Sequence, residues 1–206
     1  MIGFKKKLPI DDVLDELIIS MQKYNHAVLQ APPGAGKTTR IPVALLDSDL
    51  YQKKIIMLQP RRLAVRSAAS RLAKHYGDQL GQTVGYRMRG ESRTSKITRI
   101  EVVTEGVLIK MIQNDPELNG IDCIIFDEFH ERSLNADLGL TLCLEISSEI
   151  REDLALLVMS ATLDAEPVAK LMGNAPIITS AGKSFDVSPH YLSRPWKTDK
   201  NWSANL

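Results

Sequence analysis

The chain has 206 residues, of which 44% are hydrophobic and 25% charged; this is close to average globular usage and excludes a disordered or collagen-like protein. That length predicts one compact α/β domain whose core needs no disulfide staples. Lys and Arg number 26 against 25 Asp and Glu, so the net charge of +1 supplies no global field to attract nucleic acid, and any such partner must be argued from local groups.

In chain order, residues 9 to 22 carry Leu14, Leu17, Ile18 and Met21 at helical spacing. The short run Ala27-Val28-Leu29 follows, too brief for a helix, and ends at Pro32-Pro33-Gly34. The spacing then predicts a strand over Lys54 to Gln59, a helix over Leu63 to His75, a strand over Arg99 to Thr104 and a helix over Gly106 to Gln113. A strand over Ile121 to Asp127, a helix over Leu134 to Ile150, a strand over Ala155 to Ser160, a helix over Asp164 to Met172 and a strand over Ile177 to Ser180 complete the series. Short apolar strands without in/out polarity, each followed by a helix, are what a parallel sheet covered on both faces requires. The expected architecture is a doubly wound α/β domain. From Pro189 the chain turns polar and aperiodic, so residues 1–188 are expected to form the domain and 189–206 the start of a linker. Trp196 and Trp202, in that polar stretch, read as linker anchors more readily than as base-stacking platforms.

Cys123 and Cys143 lie inside apolar stretches without CxxC or metal-ligand spacing, as expected of buried, reduced thiols in a cytoplasmic protein rather than of structural zinc. The basic start Lys5-Lys6-Lys7 leads into Pro9-Ile10-Asp11-Asp12, and the longest apolar run is the six residues from Leu154 to Met159. Neither a signal peptide nor a membrane span is expected.

Three segments carry chemistry. Ala31-Pro32-Pro33-Gly34-Ala35-Gly36-Lys37-Thr38 follows a predicted strand and opens a helix, the context of a phosphate-binding loop. Gly34 and Gly36 allow backbone N–H groups to approach phosphates, the helix N-terminus adds its positive dipole end, Lys37 reaches the β- and γ-phosphates, and the Thr38 hydroxyl can ligate Mg²⁺. Asp127-Glu128-Phe129-His130 stands at the end of the apolar strand Cys123-Ile124-Ile125-Phe126. Adjacent acids there are costly to bury unless a cation or a reacting water uses them. Asp127 suits the metal and Glu128 the attacking water of phosphoryl hydrolysis. Ser160-Ala161-Thr162, again just past an apolar strand, offers hydroxyls that could bridge to these carboxylates or to His130; taken alone, Thr162 reads as a helix N-cap.

Together with Gln59-Pro60-Arg61-Arg62-Leu63-Ala64-Val65 and Thr104-Glu105-Gly106-Val107-Leu108, the run Gln30 to Pro42, the box Asp127 to Arg132 and Ser160 to Asp164 resemble the successive motifs of the superfamily 2 DEAH-box helicases, in order and spacing. Ala31 stands where the strict phosphate-loop pattern has Gly, a replacement common in helicase-type loops. Phe129 where the family name has Ala, and Val84-Gly85-Tyr86-Arg87-Met88-Arg89, are similar to a bacterial subgroup.

The resemblance implies a RecA-like P-loop NTPase domain with a mostly parallel sheet and helices on both faces. Ala31 through Thr39, including Pro32, Pro33, Ala35 and Thr39, would bind ATP or another nucleoside triphosphate with Mg²⁺, the metal resting on Thr38 and Asp127. Lys37, Asp127, Glu128 and His130 would serve catalysis, and His130, Ser160 and Thr162 would couple nucleotide state to the nucleic-acid site. Arg61, Arg62 and Thr104 would contact the backbone of single-stranded RNA, with DNA an open alternative. Arg71, ten residues after Arg61, matches an arginine that stacks on the nucleotide base; a solvated helix face is the competing reading for Arg71 and Lys74. Such helicases use a second RecA-like domain carrying arginine fingers, and no Gln-Arg-x-Gly-Arg-type motif follows residue 164. The chain is therefore expected to be a first RecA-like domain that binds nucleotide far better than it turns it over. Two other classes compete: a nucleotide kinase, which has no use for the Asp127 box followed by Ser160-Ala161-Thr162, and a plain nucleic-acid-binding module, which 5% aromatic content disfavours.

Overall fold

The computed structural model describes residues 7–161, 165–182 and 188–189. Eight strands form one sheet in the order β4-β3-β5-β2-β6-β7-β1-β8. They are β1 His26–Gln30, β2 Lys54–Gln59, β3 Val84–Met88, β4 Glu91–Arg93, β5 Ile100–Thr104, β6 Ile121–Phe126, β7 Ala155–Ser160 and β8 Ile177–Thr179. Every pairing is parallel except that of β3 with β4.

The helices are α1 Leu14–Tyr24, preceded by a 3-10 turn Pro9–Val13, then α2 Lys37–Asp47, α3 Arg62–Tyr76, α4 Glu105–Asn114, α5 Leu134–Glu149 and α6 Ala165–Leu171. Strand side chains alternate between faces, and the two hydrophobic clusters follow that alternation. Ala27, Leu29, Ile55, Met57, Cys123, Ile125, Leu157 and Met159 pack against α1, α2 and α3. Val28, Ile56, Leu58, Ile124, Phe126, Leu156 and Val158 pack against α4, α5 and α6. Central strands are therefore apolar on both sides, which is why they read as uninterrupted runs. Both cysteines are buried free thiols, as expected.

The doubly wound α/β reading matches this architecture; the first helix starts at Leu14 because Pro9–Val13 form a 3-10 turn, and the other expected elements differ from the observed ones by one or two residues at their ends. Two strands lie where none is predicted. β3 and β4 form an antiparallel hairpin closed by Arg89-Gly90, with Gly90 at φ 78°. The three-residue β4 is intermediate or exposed and leaves no apolar pattern. Gly85 is required there, because a Cβ would sit 2.6 Å from the Arg93 carbonyl oxygen. Among the described residues no helix is long and apolar enough to cross a membrane.

Parallel pairing places the carboxyl ends of β1, β2, β5, β6 and β7 on one edge of the sheet. The segments singled out above all leave the sheet from that edge, where open α/β folds bind ligands. Because β7 pairs with both β6 and β1, the loops after these three strands converge.

Candidate functional site

The loop after β1 turns twice through left-handed backbone, at Gly34 (φ 76°) and Gly36 (φ 104°). Nothing stands within 4 Å of the position a Cβ would take on Gly34, so its backbone is open to a ligand. Gly36 is instead covered, with a would-be Cβ 2.7 Å from Leu8 Cδ1. Leu8, from the segment before α1, thus roofs one side of the loop, a role its isolated apolar side chain does not announce in the sequence. Gly36 is the N-cap residue of α2, so the first free N–H groups of that helix face the loop. The helix continues through Pro42 to Asp47.

Lys37 is buried and folded back, its Nζ donating to the carbonyl oxygens of Ala31 at 2.6 Å and Pro32 at 3.2 Å. Burial holds its ammonium below the ordinary lysine value, opposed by the carboxylates of Glu128 and Asp127. A cation hydrogen-bonded to two carbonyl oxygens next to an open glycine loop is poised to exchange those dipoles for phosphate oxygens.

Asp127 follows the last residue of β6 and is buried. Its Oδ2 accepts from Thr38 Oγ1 at 2.7 Å and Gln59 Nε2 at 2.5 Å, while Oδ1 accepts from the Glu128 backbone N–H at 2.9 Å. Burial pushes this carboxyl up to about 6, overriding the bonds from Thr38 and Gln59 that favour its ionised form. Glu128 adopts left-handed backbone at φ 52°, a conformation that costs a non-glycine residue energy and recurs at functional sites. The effect is to turn its side chain out of line with Asp127. Glu128 Oε2 lies 3.3 Å from His130 Nε2, and the other ring nitrogen, Nδ1, accepts from the Ala161 N–H at 3.3 Å. That bonding assigns the proton of a neutral His130 to Nε2, facing Glu128. The Ala161 backbone thus reaches His130 from the segment after β7. Ser160 is fully buried at the end of β7, where its carbonyl accepts from the Ala31 N–H at 3.0 Å. Thr162 lies outside the described residues, as do Trp196 and Trp202.

These groups surround a cavity of about 350 Å³ lined by Leu8, Gly34, Gly36, Lys37, Thr38, Thr39, Arg71 and Glu128. A second, of about 340 Å³, shares Thr38, Arg71 and Glu128 and runs on to Gln59, Pro60, Arg61 and Glu131. Arg71 therefore faces the loop cavity, although it lies on the exposed side of α3 with Nε on the Ser67 carbonyl at 3.3 Å. The groups present fit a magnesium-bound nucleoside triphosphate. A hydroxyl and a carboxylate in contact are hard oxygen donors of the kind Mg²⁺ takes, beside an open glycine turn, a lysine and a helix N-terminus.

The basic residues are less free than the sequence suggests. Arg61 Nη2 pairs with Glu131 Oε1 at 2.9 Å, and Arg62 Nη1 donates to the Arg89 carbonyl at 2.8 Å. Arg87 pairs inward with the fully buried Glu101 at 2.8 Å, which also pairs with Lys54 at 3.1 Å. Thr104 occupies the N-cap position of α4 without a side-chain capping bond. Gln59 and Glu131 were not singled out from the sequence. Only the register of β2 beside β6, and the fold of the box after it, bring them to Asp127 and Arg61.

Residues 12–171 match the DEAD/DEAH box helicase family. The chain is 50% identical over 188 residues to the ATP-dependent RNA helicase HrpB of Escherichia coli, covering 91% of this chain and 23% of that protein. It is 41% identical over 186 residues to the ATP-dependent RNA helicase HrpA of Borreliella burgdorferi, covering 90% and 22%. The crystal structure of the Escherichia coli DEAH/RHA helicase HrpB superposes with a TM-score of 0.86 at 49% identity, over 92% of this chain and 24% of that one. The chain thus spans less than a quarter of the length of these relatives. A RecA-like sheet whose converging loops carry the helicase motifs in order, matched over most of its length, makes the chain a member of the DEAD/DEAH box helicase family.

Proposed function

We propose that this chain binds a magnesium-bound nucleoside triphosphate, ATP in the first instance, and that its hydrolysis is coupled to movement along single-stranded RNA in an enzyme that includes a second RecA-like domain. The observation that carries the reading is the 2.7 Å bond between Thr38 Oγ1 and Asp127 Oδ2, which joins two motifs 89 residues apart at the mouth of the glycine loop. In this reading Ala31 to Thr39 cradle the phosphates, Lys37 leaves its carbonyls for the β- and γ-phosphates, and Thr38 and Asp127 hold the metal. When bound, Mg²⁺ supplies charge neutralisation at the transferred phosphoryl group. Glu128 orients and deprotonates the attacking water. His130 fixes the Glu128 carboxylate from one side while Ala161 fixes His130, so a shift of the segment Ser160–Thr162 reaches the base through two bonds. Arg71 stands over the loop cavity to meet the base of the nucleotide.

Arg61, Arg62 and Thr104, at the ends of β2 and β5 on the same edge, form the proposed path for single-stranded RNA or, as the alternative strand, DNA. Residues 1–188 constitute the domain and 189–206 the start of a linker, and the site of action is the cytoplasm. Arginine fingers from the second domain complete the transition state, so the chain alone turns over slowly.

Thermal melting with millimolar Mg²⁺–ATP or Mg²⁺–ADP tests the reading. Ligand at a hundredfold excess over Kd should stabilise the fold by about 2.7 kcal/mol. The Lys37→Ala variant should lose that shift; an equal shift in the variant, or none in the parent chain, overturns the assignment.

A further inference from the structure

Gln59 is 3% exposed at the carboxyl end of β2, and a buried amide must be hydrogen-bonded. It lies on the same strand face as Ile55 and Met57, the face covered by α2 and α3. Its Nε2 donates to Asp127 Oδ2 at 2.5 Å. With Asp127 ionised, the amide nitrogen is the atom that faces that oxygen, because a carbonyl oxygen there would meet a carboxylate oxygen with no proton between them.

The terminal torsion of an aspartate is broad, so the plane of the Asp127 carboxyl is set by its partners. Three donors fix it: Thr38 from α2, the Glu128 N–H from the chain itself, and Gln59 from β2. Thr38 comes from the helix of the glycine loop itself, and the Glu128 amide from the next residue of the chain. Gln59 alone belongs to the strand whose next residues are Pro60-Arg61-Arg62. The second cavity is lined by Gln59, Pro60 and Arg61 together with Thr38 and Glu128, the residue bonded to the Asp127 carboxylate and the residue that follows it.

We propose that Gln59 is a positioning residue for Asp127, holding the carboxylate in the orientation that binds Mg²⁺ and tying it mechanically to the Pro60-Arg61-Arg62 loop. The inference rests on the Mg²⁺–nucleotide reading above. It makes a residue two positions before the proposed RNA-binding arginines part of the outer shell that the metal would have, so that displacement of the loop pulls on an amide bonded to the carboxylate proposed to hold it.

The test uses the 206-residue chain. Gln59→Met keeps the length and shape of the side chain and removes the donor. Binding of a fluorescent ADP is titrated with Mg²⁺ and repeated in EDTA. Loss of an outer-shell partner typically weakens a metal about 10- to 100-fold, so the Mg²⁺ midpoint should rise by about tenfold or more while metal-free binding stays unchanged. A role in packing alone would leave the midpoint where it was, and that result overturns the proposal. In the parent chain, the Gln59 side-chain amide resonances should shift on addition of Mg²⁺–ADP and not with ADP in EDTA. That measurement decides alone if Gln59→Met fails to melt cooperatively, and unmoved resonances in a Mg²⁺–ADP-bound sample refute the link. If the parent chain shows no Mg²⁺-dependent nucleotide binding, the underlying reading has failed and this inference falls with it.

Discussion

Asp127→Asn should stabilise the ligand-free fold while removing the metal site. The Asp127 carboxyl is held at about 6 by burial against an ordinary value of 3.8. The folded state therefore keeps a proton that the unfolded chain has lost between those values, and stability falls as pH rises through the window. Below the lower value there is no penalty; above the upper one it reaches about 3 kcal/mol, at about 1.36 kcal/mol per tenfold. The linkage relation gives about 2 kcal/mol at about pH 5 and about 3 kcal/mol at about pH 8. Asparagine carries no charge to desolvate, but its amide nitrogen must face one of the three donors now satisfied by the carboxylate, at a cost of about 1–2 kcal/mol. The variant should thus gain little at about pH 5 and about 1–2 kcal/mol at about pH 8, seen as a melting point higher by about 2–8 °C. Saturating Mg²⁺–nucleotide should invert the order, because the cation favours the ionised carboxylate. Chemical denaturation of both proteins across the pH series supplies the measurement. If the difference between variant and parent does not change with pH, Asp127 is not the strained acid described here.

Glu128→Gln should keep nucleotide affinity and lose hydrolysis by about 10²- to 10⁴-fold in an enzyme that includes the second domain, since the amide cannot take a proton from water; retained turnover would identify another base. Replacing Arg61 and Arg62 by alanine should flatten the log–log salt dependence of RNA binding by about 1.4, at about 0.7 for each phosphate no longer neutralised, without altering nucleotide affinity; fluorescence anisotropy of a labelled strand reads both. Glu131→Gln should tighten RNA by about 1.5- to 5-fold, the range expected when an exposed ion pair stops competing for Arg61. That gain should vanish when Arg61 is already alanine.

The alternation of strand and helix was legible because the central strands are buried on both faces: Val28, Ile56 and Ile124 face one helical layer while Leu29, Met57 and Ile125 face the other. Such strands leave continuous apolar runs, which end at the glycine loop after β1, at Gln59-Pro60 after β2, at Asp127 after β6 and at Ser160 in β7. The β3–β4 hairpin was not legible, because Tyr86, Arg87 and Met88 alternate over too few residues. It is held by a contact across the hairpin and by contacts with α3 and β5. Glu91 accepts from Tyr86 Oη at 2.6 Å and from Arg66 of α3 at 2.6 Å, and Arg87 reaches Glu101 of β5.

The site was legible to the same depth and stopped for the same reason. Motif residues announce themselves by type and order, so Lys37, Thr38, Asp127, Glu128 and His130 were named from the sequence, and parallel topology brings them to one edge. What connects them is decided by register. Gln59 reaches Asp127 because Leu58 pairs with Phe126 across β2 and β6, which sets the last residue of one strand beside the first residue after the other. A slip of one residue would turn the Gln59 side chain to the opposite face, and no local pattern around Gln59 encodes that registration. The same holds for Glu131, whose pairing with Arg61 follows from left-handed backbone at Glu128 and Arg132 on either side of a short 3-10 turn. The groups that perform chemistry are thus specified by residue identity, whereas those that transmit its consequences are specified by how neighbouring strands align. The Gln59 and Glu131 substitutions therefore test the part of the mechanism that lies in strand alignment and loop geometry.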